Sequence, residues 1–233
     1  MLINFAFVKC KYCHIENSIK KGVRKGVQRY YCKNCEKCFQ EKYVYNADSA
    51  TTNSSIILLL KEGCGIRSIG RILKISKNTV LSRKLNISKY ITVPNITMSG
   101  AVYEVDEMFV KVSNGKKNWL TYAIEKESRE VVGFVLGSRS KISISPLINK
   151  LLQSNPLAIY TDKMKAYPAL IPSNIHKVFR YLTNRIERKN LTLRTHIKRL
   201  SRKTICYSKS LQYLEAHLKI YFWTSQSHCS IQT

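Results

Sequence analysis

The sequence predicts an α/β chain, with a mixed sheet in its C-terminal half preceded by a small cysteine-held segment and a short helical block. Three observations carry this reading. From residue 102 onward, three runs rich in β-branched and aromatic residues, Tyr103–Val110, Trp119–Ile124 and Val131–Leu136, follow one another across short polar breaks, the pattern of an antiparallel meander. Helix-like and strand-like runs then alternate, which is how a chain adds parallel strands to such a sheet. Five of the eight cysteines crowd into the first 38 residues, and clustering of that kind suggests a metal rather than a disulfide framework.

Composition narrows the partner before any motif is read. The 233 residues carry 40 Lys and Arg against 14 Asp and Glu, a formal charge of +26, while 44% are hydrophobic and 10% aromatic. That apolar content is enough for a core and excludes global disorder. A charge this far beyond what solubility needs points to a polyanion, either nucleic acid or an anionic membrane surface. The longest purely aliphatic run is Ile56–Leu60, and Met1 to Val8 leads straight into a cysteine pair without a cleavage-type segment. The membrane option is therefore weak, and the chain reads as cytoplasmic and nucleoid-associated.

Cys10-Lys-Tyr-Cys13 and Cys32-Lys-Asn-Cys35 are two Cys-x-x-Cys pairs separated by 18 residues, a spacing at which two tight knuckles supply four thiolates to one tetrahedral Zn2+. Gly22 and Gly26 lie between them as turn residues, and Val27–Tyr31 reads as a strand feeding the second knuckle, so residues 1–45 read as a zinc ribbon. Too short to build a core, this segment would depend on the metal for its fold. Cys38 and His14 are spare ligand candidates, with the paired spacing favouring Cys35.

The helical block spans residues 46–90. Asn53 or Ser54 is the expected N-cap of a helix through Ile56–Lys61, with Gly63 as its stop. Ile66, Ile69 and Leu73 then share one helical face, Gly70 permits close approach, Lys74–Ser76 form a turn and Val80 packs a second helix back on the first. This is a helix-turn-helix pattern, although such turns prefer glycine where Lys74 stands. Lys77, Asn78, Thr79, Ser82 and Arg83 would start its recognition helix, within reach of base edges and phosphates. Residues 91–101, with Pro94 and Ser99-Gly100, read as a linker.

In the domain spanning 102–225, a helix at Ile144–Leu152, a strand at Leu157–Thr161, a short helix at Ala166–Leu170, a strand at His176–Leu182 and a basic helix from Asn184 to Leu200 follow the meander. Acids are few, which makes them informative. Of three aspartates, Asp48 sits in a polar connector, Asp106 lies inside an apolar strand and Asp162 closes another, while Glu187 is the only acid in a helix that also carries Arg185, Arg188, Lys189, Arg194, Lys198 and Arg199. Asp106, Asp162 and Glu187 together could hold two magnesium ions for attack on a phosphodiester, with Mn2+ as a substitute. Glu104 and Glu107 are expected on the strand face opposite Asp106, as a solvated or structural charge. Asn184 and Arg188 lie close enough to Glu187 to orient a phosphate, and Leu211–Trp223 reads as a core-packing helix.

The order of strands and acids resembles the RNase H-like catalytic core of DDE transposases. The local motifs resemble the IS1 family in particular: Tyr103-Glu-Val-Asp106-Glu-Met108, Tyr160-Thr-Asp162, and the run from Arg180 through Glu187 to Lys209, with 24 residues between Asp162 and Glu187. The likeness extends from about Cys10 to Phe222, and departs at Phe109, where a tryptophan is usual, and at Lys163-Met164-Lys165, where a Gly-Trp-Gly-like turn is usual. The resemblance implies a transposase that binds the terminal inverted repeats of its element, cleaves strands at those ends and joins them to target DNA. It implies Asp106, Asp162 and Glu187 as the catalytic, magnesium-binding triad; contacts to DNA are expected from Asn184, Arg185, Arg188 and Arg194 of the basic helix. The partners it implies are double-stranded DNA and further copies of the chain, as a dimer or larger synaptic assembly. The alternative is a catalytically decayed relative acting only as a sequence-specific DNA-binding regulator.

Overall fold

The computed structural model describes residues 5–6, 8–24, 26–41, 49, 51–96, 99–113, 115–178 and 183–224. Two compact units emerge, Met1–Ser49 and Ala50–Thr233. Asp48 and residues 179–182 of the expected His176–Leu182 strand lie outside the described residues.

The first unit is an antiparallel sheet in sequential order, β1 (Phe5–Ala6), β2 (Ser18–Arg24), β3 (Val27–Cys32) and β4 (Cys38–Gln40). The β2–β3 hairpin turns at Gly26, left-handed at φ +78°, a conformation that side chains with a Cβ resist, whereas Gly22, also at φ +78°, lies within β2 at the register shift between Lys20 and Val23. The two cysteine pairs sit in knuckles of the same build. Cys10 N–H donates to Ile15 O at 3.1 Å and Cys32 N–H to Lys37 O at 3.0 Å. The residue four past the first cysteine, His14 or Glu36, is left-handed in each. Among the described residues, Cys10, Tyr30, Cys32 and Phe39 form its buried hydrophobic cluster.

The second unit begins with three helices, α1 (Thr52–Lys61), α2 (Ile66–Ile72) and α3 (Lys77–Lys89). Thr51, rather than Asn53 or Ser54, is the N-cap of α1, and the Ser54 hydroxyl instead donates back to Thr51 O at 2.8 Å. The turn between α2 and α3 has the expected shape. Lys74 takes the left-handed conformation at φ +53°, Ser76 caps α3 by accepting Thr79 N–H at 3.0 Å, and a Cβ on Gly70 would sit 2.9 Å from Ile75 O. Ile56, Leu60, Ile69, Val80 and Ile87 form the helical core, completed by Ile220 from the last helix, α6 (Leu211–Trp223).

Beside that shared core lie two buried basic side chains. Lys84 of α3 is 0% exposed and His217 of α6 only 3%, and among the described residues neither the Lys84 ammonium nor either His217 ring nitrogen has a hydrogen-bond partner. The ammonium lies over the Tyr213 ring at 5.7 Å. Burial, then the nearby Arg199, holds the Lys84 pKa well below its ordinary value; burial, then Arg199 and Lys84, does the same to His217. A buried polar group without a hydrogen bond costs stability, so Lys84→Met is expected to stabilise the chain by about 1–3 kcal/mol, checked by urea denaturation. His217 sets a pH dependence. With its folded pKa below the unfolded value, the unfolded chain binds more protons on acidification. The stability this neutral ring contributes is complete above the ordinary histidine pKa and falls as pH drops through it, by up to about 1.4 kcal/mol per pH unit. His217→Gln is expected to flatten that decline.

The sheet follows. Strands β5 (Val102–Val110), β6 (Asn118–Glu125) and β7 (Val131–Gly137) form the predicted meander, α4 (Lys141–Leu152) crosses over, and β8 (Ala158–Tyr160) and β9 (His176–Lys177) add in parallel. The order β7-β6-β5-β8-β9, with only β6 opposed to its neighbours in direction, is that of an RNase H-like fold. Helix α4 and a 3-10 turn at Tyr167–Ala169 cover one face through Tyr103, Val105, Ile144, Ile148, Leu151 and Ile159. Helices α5 (Asn184–His196) and α6 cover the other through Met108, Leu120, Tyr122, Ile186, Leu193 and Leu218. The basic helix ends at His196 rather than Leu200. Its last carbonyl abuts Gly63, where a Cβ would lie 2.5 Å from His196 O, and a 3-10 turn at Lys198–Leu200 follows. No helix among the described residues is long and apolar enough to cross a membrane.

Candidate functional site

Strand register brings the acids together. Strands β5 and β8 run parallel with Val102 opposite Ala158 and Glu104 opposite Tyr160. Two residues further along each chain are Asp106 and Asp162, and side chains two apart share a face. Carboxylate oxygens of Asp106, Glu107 and Asp162 all lie within 4.8 Å of one another.

Asp106 is held through both oxygens. Oδ1 accepts Glu107 N–H at 2.8 Å and Oδ2 accepts Asn190 Nδ2–H at 2.6 Å. The amide is oriented in turn by the buried Tyr122 hydroxyl, which donates to Asn190 Oδ1 at 2.9 Å; Tyr122 reaches it because it pairs directly across from Asp106 on β6. Burial raises the Asp106 pKa, the two donors oppose that, and the charges of Asp162 and Glu187 add to it. Asp162 is exposed, with Oδ1 accepting Met164 N–H at 2.8 Å.

Glu187 stands apart from the three-acid cluster. It is exposed in the first turn of α5, where Thr183 Oγ1 donates to its Oε1 at 3.2 Å, yet its charge is felt at Asp106. What aims α5 is Glu104, which shares the Asp106 face because the two are two residues apart, not the opposite face as expected. It is buried and accepts Ile186 N–H at 3.0 Å. It thereby satisfies one of the orphan donors of a helix whose own N-cap, Thr183, makes no capping bond.

Glu107 does point to the other face, but it is no surface charge. Its side chain is 1% exposed, its Oε2 accepts Arg139 Nη2–H at 2.9 Å and its Oε1 accepts the Tyr167 hydroxyl. Burial, then Asp162, pushes its pKa up to about 7 against the pull of Arg139.

Of the other residues singled out from sequence, Lys77, Asn78 and Ser82 are exposed at the start of α3, and Thr79 and Arg83 are half-buried. The Thr79 hydroxyl is engaged with Ser76 Oγ at 2.8 Å in the helix cap. On α5, Asn184, Arg185 and Arg188 are exposed, and Arg185 donates to Lys126 O. Arg194 is half-buried, its Nε lacking a partner among the described residues.

In the first unit the sulfurs of Cys10, Cys13, Cys32 and Cys35 lie within 4.8 Å of one another. Cys10–Cys35 and Cys13–Cys32 are each 3.5 Å apart, far beyond a disulfide and close to the edge of about 3.8 Å that a tetrahedron of ~2.3 Å metal–sulfur bonds requires. Cys38 and His14 are not in the cluster. Burial pushes the Cys10 thiol up, but N–H groups of Cys13 and Tyr12 more than offset it, to about 6; burial pushes Cys35 up to about 12. Four thiolates in so small a volume need a cation, and soft sulfur donors fit zinc. The hard oxygens of the acidic cluster fit magnesium or manganese.

Fold and sites thus define an RNase H-like protein with an N-terminal four-cysteine cluster and acids gathered at adjoining strands. A family model described as IS1 transposase matches residues 101–226, and the chain belongs to that family. It is 36% identical over 115 residues to the insertion element iso-IS1n protein InsB of Shigella dysenteriae, covering 49% of this chain and 88% of that one. To the IS1 protein InsB of Shigella flexneri it is 34% identical over 110 residues, 47% of this chain and 84% of that one. Among solved structures, a simian T-cell lymphotropic virus intasome in complex with a PP2A regulatory subunit aligns with 60% of this chain and 59% of its own, at 17% identity and a TM-score of 0.33.

Proposed function

We propose that the protein is a transposase that binds the terminal inverted repeats of its insertion element and catalyses metal-dependent strand cleavage and strand transfer. The observation that carries this is the pairing of Asp106 and Asp162 on adjacent strands in a chain of this family. Asp106, Asp162 and Glu187 would hold magnesium, which supplies polarisation of the scissile phosphate and activation of a water or 3′-hydroxyl for in-line attack. The chain's own part is to hold those carboxylates still. Asn190 and Tyr122 fix Asp106, the Met164 amide fixes Asp162, and Glu104 sets the start of the helix bearing Glu187.

End recognition falls to the ribbon at 1–45, with zinc on Cys10, Cys13, Cys32 and Cys35, and to the helix-turn-helix at 46–90 through Lys77, Asn78, Thr79, Ser82 and Arg83. With its hydroxyl in the cap, Thr79 contributes by position rather than by reading a base. Asn184, Arg185, Arg188 and Arg194 contact the strand being cut. Two ends must meet for joining, so the working form is a dimer or larger assembly on nucleoid DNA in the cytoplasm.

The test incubates purified protein with its element's terminal DNA and Mg2+ or Mn2+, with Asp106→Ala as control. Nicked and strand-joined products from the wild type alone are expected. Binding without nicking would sink the catalytic reading and leave the DNA-binding regulator.

A further inference from the structure

A carboxylate inside the acidic cluster remains without a role in this reading. Glu107 lies within 4.8 Å of Asp106 and Asp162, near enough to be counted a metal ligand, yet its side chain is 1% exposed and its charge is already paired with a guanidinium. One oxygen accepts the Tyr167 hydroxyl and the other Arg139 Nη2–H. Asp106 differs in that its two hydrogen-bond donors, a backbone N–H and an amide, are neutral, which leaves its charge for a cation.

Arg139 explains the arrangement. It sits between β7 and α4, with its guanidinium held on several sides. Glu107 lies at 2.9 Å, the Trp119 ring stacks at 4.4 Å from the guanidinium carbon, and Nε–H points to Met164 Sδ at 3.2 Å. Trp119 is itself braced edge-on by Phe109 at 5.6 Å between ring centres. The Asp162 carboxylate lies 3.9 Å from Nη2, and 38% of the arginine side chain stays exposed. The planar fork carries five donors, of which Nη2 and Nε are engaged; Nη1 has no acceptor among the described residues.

We propose that Arg139 is a phosphate-binding residue of the acidic site and that Glu107 is its buried counter-ion, not a metal ligand. The inference rests on the proposed function. Cations on Asp106 and Asp162 would neutralise Asp162 and repel a neighbouring guanidinium. Arg139 stays at the site because Glu107, on the opposite strand face, keeps its charge compensated. Its free edge then meets a non-bridging oxygen of the DNA phosphodiester beside the metals, a geometry guanidinium forks suit. Exposed arginines on α5 lack such a mount.

The experiment compares full-length wild type, Arg139→Gln, Arg139→Lys, Glu107→Gln and Asp106→Asn, using two measurements besides cleavage. One is Mn2+ binding to the protein alone, by electron paramagnetic resonance. The other is affinity for terminal DNA in Ca2+ across a salt series. The expected result is Mn2+ affinity within about twofold of wild type for the Arg139 and Glu107 variants. DNA affinity should fall for Arg139→Gln with a salt slope reduced by about one, and cleavage should drop by about a hundredfold. Glu107→Gln should follow Arg139→Gln, and Arg139→Lys should lie between it and wild type. A tenfold loss of Mn2+ affinity in Glu107→Gln alone would make Glu107 a ligand and overturn the proposal, as would wild-type DNA binding and cleavage by Arg139→Gln. Failure of the underlying reading looks different, since Asp106→Asn would then bind Mn2+ like the wild type.

Discussion

Glu187→Gln and Asp106→Asn are expected to lower cleavage at the element's ends by about a thousandfold or more while leaving end binding within about twofold. Metal-borne stabilisation of a phosphoryl transition state amounts to several kcal/mol, and each ~1.4 kcal/mol is tenfold in rate. The amide replacements keep shape but give up the charge that holds a cation, and at Asp106 they also turn one of two accepting oxygens into a donor. The Asp106 site offers a sharper test through Asn190. Asn190→Asp places a second carboxylate where an N–H donor now lies 2.6 Å from Asp106 Oδ2, and two such oxygens can approach only by sharing a proton. Burial and neighbouring acids already raise the Asp106 pKa, so the variant shifts it further in the same direction. The acidic limb of the cleavage pH profile then moves to higher pH, and the Mn2+ requirement rises. Tyr122→Phe frees the amide without adding charge, and should lower the rate with a smaller displacement of the profile. Metal-dependent nicking on end-labelled DNA across a pH series reads all four variants. Cleavage by Glu187→Gln at the wild-type rate would remove Glu187 from the site.

Much of this site was legible because strands and acids obey short-range rules. Asp106 and Asp162 were visible as charges in apolar strands, and a parallel pairing leaves few ways to avoid bringing them together. The meander, the knuckles and the turn with Lys74 left-handed were equally readable, being set by local alternation, spacing and backbone shape. The supporting polar groups were harder. Asn190 lies on the same helical stripe as Ile186 and Leu193, so a polar residue facing the core was a signal available in sequence. Glu104 was assignable to the Asp106 face by period two alone. By contrast, nothing local marks Arg139, because its mount is assembled from Glu107, Trp119 and Met164 on three separate elements. The end of α5 was illegible for a similar reason. Where it ends, the His196 carbonyl lies against Gly63, more than a hundred positions earlier in the chain, and Ile220 likewise enters the helix-turn-helix core from the far end.

Chelation of the first unit is expected to unfold it while the second unit keeps its own melting transition. Among the described residues of the first unit the buried hydrophobic cluster is Cys10, Tyr30, Cys32 and Phe39, so two of its four members are themselves thiols of the cysteine cluster. Tyr30 and Phe39 stack at 5.7 Å, a contact of about 1 kcal/mol beyond their area burial. Structural zinc in peptides of this size contributes about 10–16 kcal/mol of apparent binding free energy at neutral pH, so the metal outweighs everything else holding the knuckles. The second unit has buried cores of its own, and its transition should not move. Calorimetry with and without a strong chelator reads both transitions, and atomic absorption is expected to give one zinc per chain. Cys13→Ser removes a sulfur within 3.5 Å of Cys32 and should abolish stoichiometric zinc. Cys38→Ser should retain it, since Cys38 pairs with Tyr31 in the β3–β4 ladder and lies outside the four-sulfur cluster. A zinc content that followed Cys38 rather than Cys35 would transfer the fourth ligand to the spare cysteine. A first-unit transition indifferent to chelator would show that the small sheet holds itself together without a metal.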